Sequence, residues 1–279
     1  MKGVRKEKSY WILLIFACLW AFATLYPFVI AVFSSLKDND GILGDMLKVP
    51  THPLWSNYIK ALVGARIDRS IFNSLIVAVF STMGILLFSS MIAFVLARTD
   101  FKFNKAIFAL FLMGIVLPIY ATLIPLAKMV THIPFMKSNS FSTLILLYIA
   151  FNLPTSIFIL TGYMKGISKE LEEAAIIDGC SVPVLFFHIL LPISVPAIST
   201  AGILAFLHCY NEMTFALVFL SDRAKYTISL GMLYFSGEKT VDMGPMFAGI
   251  VLATIPMVVI YMLFQEQIQA GMVAGAVKE

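Results

Sequence analysis

Apolar positions in this chain gather into six long runs, and polar and charged positions gather between them. An α-helix needs about 20 mostly apolar residues to cross a bilayer, and lipid offers no hydrogen-bonding partner to an open backbone. The predicted spans are Trp11 to Phe33, Ile71 to Leu96, Ala106 to Leu126, Leu144 to Tyr163, Ile198 to Leu220, and Pro245 to Phe264. The pattern predicts an all-α integral membrane protein with six transmembrane helices, in which residues 1–279 form a single domain.

Composition agrees with a chain that has lipid as its solvent. The 279 residues are 60% hydrophobic and 13% charged, with a mean hydropathy of +0.91, which excludes a water-soluble globule. The first apolar run is too long for a secretory signal, so we expect an uncleaved first span. The largest predicted external region, Ser34 to Ser70, contains prolines and aromatic residues and is expected to be a folded excursion.

The orientation follows from the placement of lysine and arginine near the membrane ends. With the N-terminus inside, the predicted cytoplasmic and external segments hold ten of these residues each, so the total does not decide. Four positive residues stand in the first ten positions, and Arg98, Lys102 and Lys105 follow the second span. This density near the early spans predicts that both termini are cytoplasmic.

The segment 165–192, between spans four and five, is predicted to form two short helices around a turn. Ser168 is expected to cap the first helix, because its side chain can accept from a free backbone N–H. The first turns of that helix carry acidic residues, which its dipole favours: Glu170, Glu172 and Glu173. The pair Asp178-Gly179 is typical of a chain reversal, and a second helix is expected from Ser181 to Leu190.

This segment resembles the cytoplasmic coupling loop of bacterial ABC importer permeases, whose pattern is EAA, three residues, G, nine residues and I-x-L-P. All seven specified positions are met, by Glu173, Ala174, Ala175, Gly179, Ile189, Leu191 and Pro192. The resemblance implies the type I importer permease fold, with a helix-turn-helix loop that docks in a cleft of an ATPase subunit. It also implies that these seven residues, together with Glu172 and Asp178, couple the ATPase to the spans.

The resemblance covers most of the chain and is closest to the maltose and multiple-sugar branch of the family. The residues that carry it are Asn73-Ser74-Leu75, Ala97-Arg98, Tyr210-Asn211-Glu212, Tyr226-Thr227, Leu230-Gly231 and Gly275-Ala276-Val277-Lys278. The chain departs from the family at Tyr210, where tryptophan is usual. The resemblance implies a bacterial cell-membrane importer with a second homologous permease, an ATPase dimer that holds ATP and Mg, and an external sugar-binding protein.

Span five carries a polar face within an apolar run. His208, Asn211 and Glu212 stand at i, i+3 and i+4, which places them on one side of a helix, and Phe215 follows one turn later. A charged side chain that faces lipid near the bilayer centre costs at least about 2.5–3.5 kcal/mol, so Glu212 should face a partner or water. Two interpretations stay open. Either this face lines the sugar pathway, with Tyr210 or Phe215 as a stacking plane, or Asn211 and Glu212 join neighbouring helices or form a gate network.

Other classes of function find less support in the sequence. No GxxxxGK[ST] loop occurs, so ATP hydrolysis is assigned to a separate subunit, and this chain is expected to have no catalytic residues and no cofactor of its own. The isolated cysteines and histidines predict no metal site, and the scattered basic residues predict no nucleic-acid partner. The alternative is a secondary transporter driven by an ion gradient, although its typical inverted repeats are not visible. An intramembrane enzyme lacks a Ser-His pair or an HExxH motif.

Overall fold

The computed structural model describes residues 2–235 and 241–276, and within them the chain is helical with no β-strand. The helices are α1 (Lys2–Ser34), α2 (Asn39–Gly44), α3 (Ser56–Ile59), α4 (Ile67–Arg98), α5 (Asn104–Val116), α6 (Ile119–His132), α7 (Phe141–Lys165), α8 (Glu170–Ile177), α9 (Val182–Val184), α10 (Leu191–Ile193), α11 (Val195–Asn211), α12 (Thr214–Phe219), α13 (Ile228–Gly231) and α14 (Met243–Ala276). Two π-helical turns, Lys60–Gly64 and Leu185–Leu190, and two 3-10 turns, Arg223–Lys225 and Met232–Phe235, complete the elements. The tail positions Val277 and Lys278 lie outside the described residues.

Four helical stretches in the described residues are long and apolar enough to cross a membrane: Leu13–Ser34, Ile67–Arg98, Phe141–Lys165 and Met243–Glu266. They contain or overlap the predicted spans one, two, four and six. Two further pairs of helices pass the same test together but are bent, by 102° between α5 and α6 and by 75° between Val182–Ile193 and α11. The described chain therefore has four such spans, or up to six if each bent pair is one span.

The third predicted span is not one continuous helix. The predicted run from 106 to 126 is divided between α5 and α6, because the backbone at Leu117 is extended, with φ −62° and ψ 121°. A residue before proline is driven out of the helical region by the proline ring, and Pro118 itself has no N–H to donate. The predicted span is thus divided into two helices at a proline that is visible in the sequence.

The fifth predicted span also ends early. The predicted run from 198 to 220 is helical only as far as Asn211, and Glu212 is extended, with φ −66° and ψ 128°. A new short helix, α12, then begins at Thr214. The carboxylate of Glu212 accepts hydrogen bonds from the backbone N–H groups of Phe215 (2.9 Å) and Ala216 (3.3 Å). These bonds satisfy the first amides of α12, so the break is stabilised locally.

The chain divides into two compact units, and the first comprises residues 1–68 and 231–256. In this unit the amide of Asn57 donates to the carbonyl oxygens of Ser35 (3.0 Å) and Lys37 (2.8 Å). The hydroxyl groups of Tyr58 and Ser35 lie 2.8 Å apart in a further hydrogen bond. These bonds and the helices α2 and α3 confirm that this region is a folded excursion. The single-domain assignment itself stays a prediction.

The second unit comprises residues 69–230 and 257–279. Its buried apolar cluster joins α4, α7 and α11 to the segment 165–192 and consists of Ala93, Phe94, Leu160, Met164, Ala175, Leu185, Phe186, Leu190, Ala197 and Ala201. The rings of Phe94 and Phe186 are 5.1 Å apart between centroids. Four of the ten cluster residues are alanines, whose small side chains let helices approach closely. The segment is thus packed onto the ends of three helices.

Sequence positions that carried the family resemblance meet in the second unit. The amide of Asn73 on α4 donates to the carbonyl oxygens of Ala224 (3.1 Å) and Tyr226 (3.0 Å). The neighbouring hydroxyl of Ser74 accepts from the N–H of Ile228 at 2.7 Å. Both side chains are buried. Their role is therefore structural, because they hold the loop before α13 against the start of α4.

Candidate functional site

The segment 165–192 has the helix-turn-helix form that its sequence predicts. The N–H of Glu170 donates to Ser168 Oγ at 3.2 Å at the start of α8. The chain reverses at Gly179, whose φ of +82° is a conformation that glycine adopts without strain. The second helical stretch begins at Val182 and continues through Pro192 to Ile193. It is therefore slightly longer than predicted, and Pro192 does not end it.

A buried ion pair ties the end of α4 to this segment. Arg98 Nε lies 2.6 Å from Glu172 Oε1, and the two side chains are only 3% and 13% exposed. Arg98 Nη2 also donates to the carbonyl oxygen of Ile167 at 3.0 Å. Two charges are tolerated away from water only when each is matched, so this pair fixes α8 against α4. The sequence placed both residues in motifs but gave no signal that they pair.

The first helix of the segment buries one side and exposes the other. Ala175 is 6% exposed and belongs to the apolar cluster. The two large apolar side chains that follow it are in the open, Ile176 at 62% and Ile177 at 84%. Of the other predicted coupling residues, Glu173, Ala174, Asp178, Gly179 and Pro192 are exposed, and Ile189 and Leu191 are half-buried. Contiguous exposed apolar side chains are typical of a surface that another protein covers.

The polar face of span five is only partly as predicted. His208 and Asn211 are exposed on α11 and lie on the same side as Leu204, which is 50% exposed. The amide nitrogen of Asn211 donates to the carbonyl oxygen of Leu207 at 2.9 Å, within its own helix. This part of α11 presents polar groups outward from the chain.

Glu212 does not share that face, because the helix ends one residue before it. Its Oε2 accepts a 2.7 Å hydrogen bond from the hydroxyl of Tyr148 on α7. The aromatic residues expected beside it are buried, each 1% exposed: Tyr210 stacks on Phe206, and Phe215 packs against Tyr148. The contacts of these three residues are those of helix packing. A direct part in the sugar pathway for the five predicted residues stays a prediction.

In the described part of the chain, no group of three or more His, Cys, Asp or Glu side chains could hold a metal ion. The three cysteines are separate. Cys18 is exposed, Cys180 is half-buried after the turn, and Cys209 is buried, with its sulfur 3.8 Å from the amide nitrogen of Asn152. The described site residues offer hydrogen bonding, ion pairing and apolar contact.

Comparison with known proteins places these features in a family context. The family model described as "Binding-protein-dependent transport system inner membrane component" matches residues 85–273, which include the segment 165–192 and α11. The chain is 38% identical over 274 residues to a putative ABC transporter permease protein of Caldicellulosiruptor sp. (strain Rt8B.4), covering 98% of each. It is 32% identical to the melibiose, raffinose and stachyose import permease protein of Bacillus subtilis (strain 168), again covering 98% of each.

A solved structure shares the fold. A chain in the crystal structure of a bacterial ABC transporter involved in the import of the acidic polysaccharide alginate superposes with a TM-score of 0.79. The match covers 94% of the present chain and 97% of that chain, at 18% sequence identity. At this identity the likeness concerns the fold.

Proposed function

Because this chain belongs to the family of binding-protein-dependent transport system inner membrane components, we propose that it is one permease subunit of an ATP-binding-cassette importer for a sugar or oligosaccharide. The family is the membrane component of such systems, so the chain is a non-catalytic transport subunit. The sugar class is supported by relatives of almost equal length whose names specify sugar import, such as the melibiose, raffinose and stachyose permease.

The observation that carries the proposal is the geometry of the segment 165–192. A segment that transmits movement from an ATPase subunit to the membrane helices must be fixed to those helices on one side and exposed on the other. The segment 165–192 has both properties. The ion pair between Arg98 and Glu172 and the burial of Ala175 hold it to the helices. The exposed side of α8, with Ile176 and Ile177, is the surface offered to the ATPase subunit. Closure of an ATPase dimer on this surface would push directly on the end of α4.

The proposed assembly contains parts that this chain does not supply. A second homologous permease provides the other half of the pathway, and an ATPase dimer binds ATP and Mg. An external binding protein delivers the sugar. In this proposal α5 and α6 together form one span and α11 and α12 together form another, which gives six spans in the bacterial cell membrane with both termini and the segment 165–192 in the cytoplasm. The positive residues that follow α4 support this orientation.

The proposed sugar pathway runs along the exposed side of α11. His208 and Asn211 are the polar side chains available there, and both can hydrogen-bond to sugar hydroxyl groups. Glu212, Tyr210 and Phe215 lie behind this face and hold the end of α11 in position. The pathway proposal therefore separates residues that touch the sugar from residues that support them.

Reconstitution tests the proposal. The chain, expressed with the ATPase and permease of its own system, is purified and placed in liposomes with the binding protein, and uptake of radiolabelled maltose, melibiose and raffinose is measured. We expect ATP-dependent uptake of at least one sugar that persists when ionophores collapse the ion gradients. Uptake that needs no ATPase subunit and stops with the ionophore would contradict the proposal and favour a secondary transporter.

A further inference from the structure

A basic cavity lies where α4 and α7 end and α5 begins, beside the segment 165–192. Its volume is about 430 Å³, and its lining includes four lysines: Lys102, Lys105, Lys165 and Lys169. Among the lining residues, one carries a carboxylate, Asp100. Arg98 also contributes to the wall, but Glu172 balances its charge. The cavity therefore has an excess of positive charge that the described residues do not neutralise.

An apolar groove adjoins this cavity along α4 and α5. Its volume is about 370 Å³, and apolar side chains line it, among them Val95, Ile107 and Phe111. Leu96 and Phe101 line both the groove and the cavity, so the two spaces lie side by side. The result is a recess with cations at one end and an apolar channel at the other.

This combination of charge and apolar surface selects a class of ligand. An inorganic anion such as phosphate would use the lysines and leave the groove empty, whereas a phospholipid uses both. Basic pockets between membrane helices bind anionic lipid headgroups. The ammonium groups of Lys165 and Lys102, two of the lysines that line the cavity, lie 5.1 Å and 5.7 Å from the ring centroids of Phe108 and Phe103. We propose that an anionic phospholipid binds here, with its phosphate among the lysines and one acyl chain in the groove between α4 and α5.

The recess lies beside the start of α8, so a bound lipid would also affect the position of this helix. Lys169 directly precedes α8, and Arg98 shares the cavity wall with the lysines. A bound phosphate would draw Lys169, at the start of α8, toward the lysines that follow the end of α4. Lipid binding should therefore favour the position of α8 seen here. The binding step itself does not depend on the proposed transport function.

The experiment is a lipid titration of the purified, delipidated transport complex, read as bound lipid by native mass spectrometry. Dioleoylphosphatidylglycerol is compared with dioleoylphosphatidylcholine. We expect preferential binding of the phosphatidylglycerol and an affinity about tenfold weaker or more in the double variant K102Q/K105Q. The matched control K128Q/K137Q removes the same charge at exposed lysines outside the cavity and should bind like the wild type.

A second variant tests the apolar wall without a change of charge. Ile107→Trp fills the groove and should weaken phosphatidylglycerol binding, while millimolar inorganic phosphate should not displace the lipid. Equal binding of the two lipids, or equal binding by K102Q/K105Q and its control, would overturn the proposal. Displacement by inorganic phosphate together with unchanged binding in Ile107→Trp would show a simple anion site instead. Absence of phosphatidylglycerol binding in the complex would also overturn the proposal.

Discussion

At the scale of single residues, the contact with the clearest energetic consequence is the pair formed by Arg98 and Glu172. Replacement of Glu172 by Gln would leave the guanidinium buried without its counter-charge. The loss of one partner from a buried pair costs about 3–5 kcal/mol. We therefore expect Glu172→Gln to lower the unfolding temperature of the purified complex and to weaken sugar-stimulated ATP hydrolysis.

The matched control for this change is Glu170→Gln. Glu170 is an exposed carboxylate in the same first turn of α8, so its replacement should leave unfolding and ATP hydrolysis near the wild-type values. Equal behaviour of Glu170→Gln and Glu172→Gln in both measurements would show that the ion pair does not hold the segment in place.

Gly179 is the second residue that the geometry singles out. Its φ of +82° is unfavourable for any residue with a side chain, and an added Cβ would meet no atom within 4 Å. Gly179→Ala should therefore act through the backbone alone and destabilise the turn by about 1–2 kcal/mol. The measurement is the unfolding temperature together with the rate of sugar-stimulated ATP hydrolysis.

Gly162 on α7 provides the comparison. An added Cβ at this position also meets nothing within 4 Å, but its backbone is helical. Gly162→Ala should be neutral or stabilising by about 0.5–1 kcal/mol. If Gly179→Ala is as well tolerated as Gly162→Ala, the left-handed turn is not required for function.

The residue scale also shows where sequence reasoning was sufficient and where it was not. The turn at Gly179 could be predicted, because Asp-Gly is a local signal. The pairing of Arg98 with Glu172 could not, because it depends on how α4 and α8 pack, and no local pattern encodes that distance. Helical periodicity predicted that Glu212 shares a face with Asn211. The helix instead ends between these two residues, and the carboxylate of Glu212 stabilises that break. A single Glu within an apolar run carries no turn signal.

At the scale of helices, close approach between α4 and α7 depends on Gly84. An added Cβ at this position would collide with the side chain of Ile149. Overpacking of this kind typically costs about 1–3 kcal/mol, and a leucine is larger than a single methyl group. Gly84→Leu should reduce the amount of monodisperse complex in size-exclusion chromatography. Gly162→Leu, at an open helical position, should not. Similar profiles for the two variants would contradict a tight crossing.

The end of α11 gives a prediction that separates transport from packing. Asn211 is exposed and Glu212 is bonded to Tyr148, so their replacements should fail in different ways. Asn211→Ala should change the sugar concentration needed for half-maximal uptake without loss of assembly. Glu212→Gln weakens a charged hydrogen bond worth about 1.5–3 kcal/mol and should first lower the unfolding temperature. Unchanged uptake kinetics in Asn211→Ala would exclude its pathway role.

The helices themselves were predicted with uneven success, for a physical reason. Hydropathy reports whether a stretch can lie in lipid, so the long helices α1, α4, α7 and α14 were found. It does not report whether the stretch is straight. Pro118 is one of several prolines in the predicted spans, and membrane helices often tolerate a proline with only a kink. The sequence therefore did not show that the helix would end at this one.

At the scale of the whole molecule, the sequence predicted the family and the type of architecture but left the orientation to a small difference in charge density. The family could be identified from the sequence because seven residues of the segment 165–192 match the family's motif at fixed spacing. The orientation was less accessible, because the positive residues on the two predicted sides are equal in number. Because the number of positive residues does not decide the orientation, the side of the membrane on which each loop lies needs a direct test.

That test uses single cysteines at two exposed positions that the proposed topology places on opposite sides of the membrane. Ile177 on α8 is 84% exposed, and Ser221 follows α12 in the exposed chain. Each is changed to cysteine in a chain whose native cysteines, Cys18, Cys180 and Cys209, are replaced by serine or alanine. A membrane-impermeant maleimide should label Ser221→Cys in intact cells and Ile177→Cys only in inverted vesicles, and permeabilised cells should label both. The assembled ATPase should protect Ile177→Cys, because the proposed docking surface is then covered. Labelling of Ile177→Cys from outside, or of both cysteines from one side, would contradict the proposed topology and remove α8 from the reach of any cytoplasmic ATPase.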